Sequence, residues 1–229
     1  MNQYFLSLAT LLILVGCSFV QVRKQSANQG EEIVLLNSSD LDQWRGYKQD
    51  AIGKGWKVKD GILKIDGSGG GDIVTKEVFK NFVFTFDWAV TSGANSGIMY
   101  KVSLGDDAPY FTGPEYQILD DSKHADGRNS LTSAAALYGL YPSDDSELAK
   151  VGEWNTGKIV IDGDKVQHWL NGKLVVEAEI GSDDWKQRLN KSKFKDWNKF
   201  AVNDQGHIAL QDHGYEVWYR NLNITRLDD

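Results

Sequence analysis

"NFVFTFDWAV", residues 81–90, alternates ring and non-ring side chains almost without a break. An extended chain points successive side chains to opposite sides. Phe82, Phe84, Phe86 and Trp88 therefore share one face, and Val83, Thr85 and Asp87 share the other. Four large aromatic groups on one side call for a second layer to cover them, so this stretch predicts a strand of a packed sheet. The same period runs outward along the chain. "WKVKDGILKID" (56–66) sets Asp60-Gly61 between two alternating arms, a type I′ hairpin signal. "KIVIDGDKVQHWLNGKLVVEAEI" (158–180) holds Asp162-Gly163 and Asn171-Gly172 and reads as a three-stranded meander. "HIALQDHG" and "EVWYRNLNITRL" close the chain as strands. Only "SDDWKQRLNKSKF" (182–194) reads as a helix. Ser182 is a fitting N-cap, Asp183 and Asp184 suit the first turn, and Trp185 and Leu189 stand at i, i+4.

Nothing divides residues 32–229 into two domains, and there is no internal repeat. Many short strands with turn signals and one helix predict an all-β sandwich or jelly roll. A chain of 229 residues, 41% of them hydrophobic, is long enough for one sizeable core. The formal net charge of −7 argues against a nucleic-acid partner, because phosphate binding needs a basic surface. Most of the 8 Trp suit packing between sheets, and an indole face also suits the apolar face of a sugar ring.

The N-terminus reads as a leader outside the fold. An apolar run from Leu8 to Val15 is short for a bilayer and ends in Leu14-Val15-Gly16-Cys17. This resembles a bacterial lipobox. The reading is a lipoprotein signal peptide at 1–16, then a lipidated Cys17 with a polar tether to residue 31. Cys17 is the only cysteine, so an intramolecular disulfide is excluded. The expectation is a bacterial cell-envelope protein at the periplasmic or outer-membrane face, held to the membrane by this lipid alone.

Groups suited to chemistry gather at a few points. "GPEYQILDD" (113–121) puts Glu115 and Gln117 on one strand face, while Asp120 joins them only if the strand bulges. His168 in "VQHWLNG" reads equally as a hydrogen-bonded core residue and as a site residue. His213 follows Gln211 and Asp212 in "LQDHG", which also reads as a turn. Glu153-Trp154-Asn155 combines a carboxylate, a ring and an amide. Arg220, on a regular strand, shares a face with Trp218 and Leu222 and would need a carboxylate partner. Asn95-Ser96-Gly97 is a turn first and a site second. Asp120, Asp121 and His124 are spaced so as to leave a divalent cation open, but no metal site is assigned. The long connections 103–113, 121–131 and 142–152 are expected to gather over one patch of sheet.

"WAVTSGANSGIMYKV", "GPEYQILDDSKH", "AALYGLYP", "GEWN", "HWLNG", "SKF" and "IALQDHGYEVWYRNLNI" occur in this order. Together they resemble the 3-keto-disaccharide hydrolase family over about residues 32–227. The resemblance implies a concanavalin A-like jelly roll of two curved antiparallel sheets, with carbohydrate on a concave face. It also implies action on glycosides already oxidised at C3. Laminarinase-like glucanases of this general fold carry E-x-D-x-x-E, and the matching pattern here is Glu115-x-Gln117-x-x-Asp120. Gln117 lacks the middle charge, which points away from a paired-carboxylate glycosidase. A 3-keto sugar offers another route. The ketone acidifies the C2 hydrogen, a base removes it, and the C1 substituent leaves by elimination; water then adds back. That route needs no nicotinamide.

The expected catalytic residues are Glu115, His168 and His213. The expected substrate-binding residues are Gln117, Asp120, Trp154, Glu153, Asn95, Gln211 and Arg220. At least three of Glu115, His168, His213 and Arg220 are expected to share one pocket. The competing readings are a carbohydrate-binding module without turnover and, last, a glucanase.

Overall fold

The structure, a computed structural model, describes Met1 and residues 30–143 and 147–228. The expectations for the leader, for Cys17 and for most of the tether lie outside the described residues. The rest is the all-β sandwich that the alternation predicted. The larger sheet pairs β1 (Glu32–Val34), β3 (Trp56–Lys59), β4 (Ile62–Asp66), β6 (Phe82–Val90), β9 (Asn155–Asp162), β10 (Lys165–Leu170), β11 (Lys173–Glu179) and β13 (Glu216–Arg226). Its order is β11-β10-β9-β6-β13-β4-β3, with β1 also on β13. The smaller sheet runs β2 (Trp44–Gly46), β5 (Ile73–Thr75), β12 (His207–Leu210), β7 (Asn95–Val102), β8 (Glu115–Leu119). All pairings are antiparallel.

Turn chemistry sets the hairpins. Asp60 and Gly61 take φ of 52° and 75°, and Asn171 and Gly172 take 48° and 83°. Both pairs are left-handed throughout, as a type I′ turn requires. The β9–β10 loop is shifted by one residue from the sequence reading. Asp162 pairs with Lys165, so the loop is Gly163-Asp164, and only Gly163 has positive φ, 60°. Among the described residues one α-helix forms, α1 (Asp183–Lys191), and the Ser182 hydroxyl caps it by accepting from the Trp185 N–H at 3.1 Å.

Phe82, Phe84, Phe86 and Trp88 are all buried between the sheets, as their parity demands. Phe86 on β6 meets Tyr116 on β8 edge-on, with centroids 5.1 Å apart at 88°. His168 lies in this same interior. On β10 it shares a face with Val166 and Leu170, and it is 0% exposed. Its Nδ1 is 3.0 Å from the Ala135 carbonyl oxygen, which can only accept, so Nδ1 carries the proton. Nε2 then accepts from the Tyr100 hydroxyl at 3.1 Å. Burial pushes the ring down to about 4, against the opposing pull of the Ala135 and Ala136 carbonyls, so it is neutral at pH 7.

His168→Leu would strand the Tyr100 hydroxyl and the Ala135 carbonyl in the core. An orphaned buried group costs about 1–3 kcal/mol, so the expected loss in denaturant unfolding is about 2 kcal/mol or more. A ring acting as a base would instead leave stability unchanged and stop turnover.

Arg220 departs from the regular-strand expectation because β13 bulges. The register passes from Arg220↔Asp87 to Asn223↔Thr85, and Asn221 takes φ of 52°. The extra residue resets the parity. Tyr219 and Leu222 both point inward, and Arg220 turns to the outer face of the larger sheet. There its Nε donates to Asp87 Oδ2 at 3.0 Å, and its guanidinium covers the Trp154 ring at 4.2 Å.

Candidate active site

The outer face of the smaller sheet carries the site. Ser96, Ile98 and Tyr100 of β7 and Tyr116 and Ile118 of β8 are fully buried, facing the larger sheet. The alternate positions, Asn95, Gly97, Glu115 and Gln117, face the other way. Register pairs Gly97 with Gln117 and Met99 with Glu115. Gln211 follows β12 and is tied to β7 at both main-chain atoms. Its N–H donates to the Gly97 carbonyl at 3.0 Å, and its carbonyl accepts from the Ser96 hydroxyl at 2.7 Å. The open edge of β8 is closed by residues 135–138: Ala135 N–H donates to Gln117 O at 2.8 Å and Tyr138 N–H to Glu115 O at 3.0 Å. His168, bonded to the Ala135 carbonyl, supports this edge from beneath.

These positions line one cavity of about 270 Å³. Asn95, Glu115, Gln117, Gln211 and His213 share it, so five of the ten expected site residues come together. Tyr110, Gly113, Asp126, Tyr138, Lys193, Phe194 and Phe200 complete the lining. The sequence signal for Lys193 was its place in "SKF", a stretch that carries the family resemblance. Gly113, Tyr138 and Phe194 also lie in stretches that carry that resemblance, and nothing local marks Tyr110, Asp126 or Phe200. The connections 103–113 and 121–131 reach the cavity through Tyr110 and Asp126, but the third wall is 193–200. The described part of 142–152 borders other hollows, beside Trp88 and Trp154.

The other expected site residues stand elsewhere. His168 is in the interior and Arg220 on the far sheet, so only Glu115 and His213 of the named four share the pocket. Trp154 lies under Arg220 on that far face, and Glu153 is exposed in the turn before it, its Oε2 accepting from the Lys150 N–H at 3.4 Å. Asp120 is not recovered by a bulge. The β7–β8 register runs unbroken from Asn95↔Leu119 to Met99↔Glu115. Past the strand end the Asp120 carboxylate turns into its own loop. It accepts from Gly93 N–H at 2.7 Å, from Ser122 N–H at 3.0 Å and from the Ser122 hydroxyl at 2.6 Å. Burial raises this carboxyl, but those hydrogen bonds outweigh it and hold it below the usual range. Asp121 accepts from the Ala134 N–H and His124 Nδ1 from the Asp126 N–H, so this trio's ligand atoms serve the loop. Among the described residues no group of three or more His, Cys, Asp or Glu side chains is placed to hold a metal ion.

Glu115 is the cavity's most perturbed acid. Burial pushes its carboxyl up to about 8; Lys193 opposes this, and Asp72 and Asp126 add to it. Lys193 is held below its ordinary value by burial, against the pull of Glu115 and Asp126. Its ammonium lies 4.3 Å from the centre of the Tyr138 ring. The Tyr138 hydroxyl donates to Asp126 Oδ2 at 3.4 Å, and burial, then Asp126 and Glu115, push that phenol up to about 12. The site thus combines a carboxyl tuned toward neutral pH with a neighbouring cation, an arrangement suited to moving a proton and stabilising a developing negative charge.

Gly97 makes room for Glu115. A Cβ there would lie 2.0 Å from Glu115 Oε1 and 2.7 Å from its Cδ. Gly97→Ala is therefore expected to swing the carboxyl off the sheet and lower kcat/KM by about 10²-fold, since a displacement of about 1 Å has that effect on a catalytic group. Unchanged kinetics in a folded variant would dissociate Glu115 from the reaction.

Comparison with known proteins agrees with this architecture. Residues 31–225 match the 3-keto-alpha-glucoside-1,2-lyase-like domain. A 3-keto-disaccharide hydrolase of Bacteroides thetaiotaomicron is 34% identical over 227 residues, covering 86% of this chain and 78% of the relative. The crystal structure of a candidate glycosyl hydrolase from Parabacteroides distasonis superposes with a TM-score of 0.81 at 31% identity, covering 87% of this chain and 94% of that one. A second such structure from the same species, at 24% identity and a TM-score of 0.69, shares the fold.

Proposed function

The chain belongs to the 3-keto-alpha-glucoside-1,2-lyase-like family, and on that premise we propose that it cleaves glycosides already oxidised at C3, beginning with proton removal from C2. The observation that carries this reading is the pairing of Glu115, pushed up to about 8, with Lys193 in one cavity. The ionised Glu115 carboxylate takes the C2 proton. The electron pair left behind delocalises through C3 onto the ketone oxygen, and the Lys193 ammonium stabilises that enolate. When the C3 carbonyl reforms, the C1–O bond breaks and a C1=C2 double bond forms. The departing oxygen takes a proton from a rim group such as His213, which lines the same cavity. Water then adds across C1=C2, hydroxyl to C1 and hydrogen to C2, giving net hydrolysis. A cavity of about 270 Å³ is small beside ligand pockets of about 300–1,000 Å³, and suits one sugar ring with its substituent projecting outward.

The experiment compares methyl 3-keto-glucoside and 3-keto-disaccharides with their unoxidised parents. Release of the alcohol from the keto compounds alone is the expected result. Equal cleavage of keto compound and parent would overturn the reading, as would tight binding without any product, which would make this a carbohydrate-binding module. The proposal includes lipid attachment at Cys17 on the cell envelope, supported by the leader sequence. Labelled palmitate should enter the protein in bacterial cells and be lost in Cys17→Ala.

A further inference from the structure

Three side-chain amides on the cavity floor present oxygens that lack donors. Asn95 Oδ1, Gln117 Oε1 and Gln211 Oε1 are buried, and none of these oxygens has a hydrogen-bond partner among the described residues, although the Asn95 amide nitrogen stands 3.5 Å from His124 Nε2. Asn95, Gln117 and Gln211 are 4%, 1% and 8% exposed, and all three line the one cavity. Among the described residues the other buried side-chain atoms without a partner belong to Arg45, Trp88, Tyr141 and Ser143, none of which lines it. A buried acceptor without a donor destabilises a fold. Three of them gathered at one site point to a ligand that brings the donors.

The chemistry of that ligand follows from the lining. Amide oxygens accept and cannot donate, so a carboxylate or phosphate, which offers only acceptors at neutral pH, does not complete them. Hydroxyl groups do. Among the described residues Lys193 is the only lysine or arginine in the lining. It donates and cannot accept, so the group beside it must be an acceptor. A hexopyranosyl ring oxidised at C3 matches both demands. Its ketone can only accept, and its 2-, 4- and 6-hydroxyls remain as three donors.

We propose that Asn95, Gln117 and Gln211 form a hydroxyl-reading floor that accepts from the 2-, 4- and 6-hydroxyls of a 3-keto-hexopyranosyl ring and makes the enzyme selective for the fully hydroxylated sugar. This rests on the 3-keto reading above and adds to it the residues that read the ring's hydroxyls. The floor also orients the sugar: with three hydroxyls held by amides, the ketone turns to Lys193.

The test uses methyl 3-keto-glucoside, its 4-deoxy and 6-deoxy analogues, and the 3-keto-xyloside, which lacks C6. Both kcat/KM and calorimetric Kd are read. In the wild type each missing hydroxyl is expected to lower kcat/KM and affinity at least 10-fold, because a floor built for hydroxyls leaves an acceptor bare when one is absent. Gln211→Leu and Gln117→Leu should each weaken the full sugar by a similar factor. A variant that has lost the acceptor for O4 or O6 should show no further loss on the analogue lacking that hydroxyl. Gln211→Leu should melt at the same temperature as the wild type or higher, since it removes a buried acceptor that has no donor.

Equal handling of all four sugars by the wild type would overturn the inference. So would variant losses that are uniform across the sugars, a lowered melting temperature with unchanged affinity, or a sugar affinity that vanishes with chelator and returns with a divalent cation. If the wild type cleaves no keto sugar, the functional reading fails. The calorimetric arm then still decides whether the floor reads hydroxyls.

Discussion

Glu115→Gln lowers kcat on a 3-keto-glucoside by about 10³-fold, within the range of about 10²–10⁴ that a positioned general base supplies. The substitution keeps the shape of the side chain over Gly97 and removes only its capacity to take a proton. The wild-type pH profile carries the same information. Because Glu115 is pushed up to about 8, kcat/KM should rise with pH through that value as the carboxylate ionises. If the group acted as an acid, the rate would fall there. Stability gives an independent sign. The folded-state value lies above the ordinary 4.5, so the folded protein holds this proton more tightly than the unfolded chain. The resulting stabilisation is complete below about 4.5 and is lost as pH rises through about 8. Denaturation midpoints of the wild type should carry that loss between pH 5 and 9, and Glu115→Gln should lack it.

Lys193→Met should lower kcat by about 10²–10³-fold, the effect of removing one donor that faces developing charge. Loss of general packing at the cavity wall would have the same consequence for rate, so the distinguishing readout is the pH profile. Lys193 lowers the Glu115 value. Without it the acid limb should move above about 8, and the alkaline limb set by the lysine itself, which lies below 10.5 in the wild type, should disappear. A fall in rate with both limbs unmoved would assign Lys193 to packing against Tyr138 and Phe194.

The sheets were legible because their signals are local. Alternation in 81–90 and the Asp-Gly and Asn-Gly turns need only neighbouring residues to be read, and apart from the one-residue shift at Gly163 the strands formed where those signals placed them. His168 was expected among the catalytic residues, although the same local pattern also offered the core reading that the structure bears out. Val166 and Leu170 share its face, and an imidazole flanked by two aliphatic groups on one strand face belongs to the core. Arg220 was not legible, because the bulge at Asn221 reverses parity without any glycine to announce it. The opposite error arose at Asp120, where likeness to a glucanase pattern suggested a bulge that the β7–β8 register excludes. For the site, the strip of Glu115 and Gln117 was readable from spacing. Its surroundings were readable only in part. Asn95, Gln211 and His213 were expected as site residues, but Lys193, Asp126 and Tyr138 were not; they meet the strip only through loops far apart in sequence, and no local pattern encodes which sheet face those loops will cover.

Cleavage of methyl 3-keto-glucoside in D₂O, followed by NMR of the sugar product at early times against an enzyme-free control, tests the central claim most directly. If C2 deprotonation begins the reaction, the product carries deuterium at C2 in step with turnover, and Glu115→Gln suppresses product and label together. Product that keeps its original hydrogen at C2, or a wild-type rate of labelled turnover in Glu115→Gln, would contradict the account.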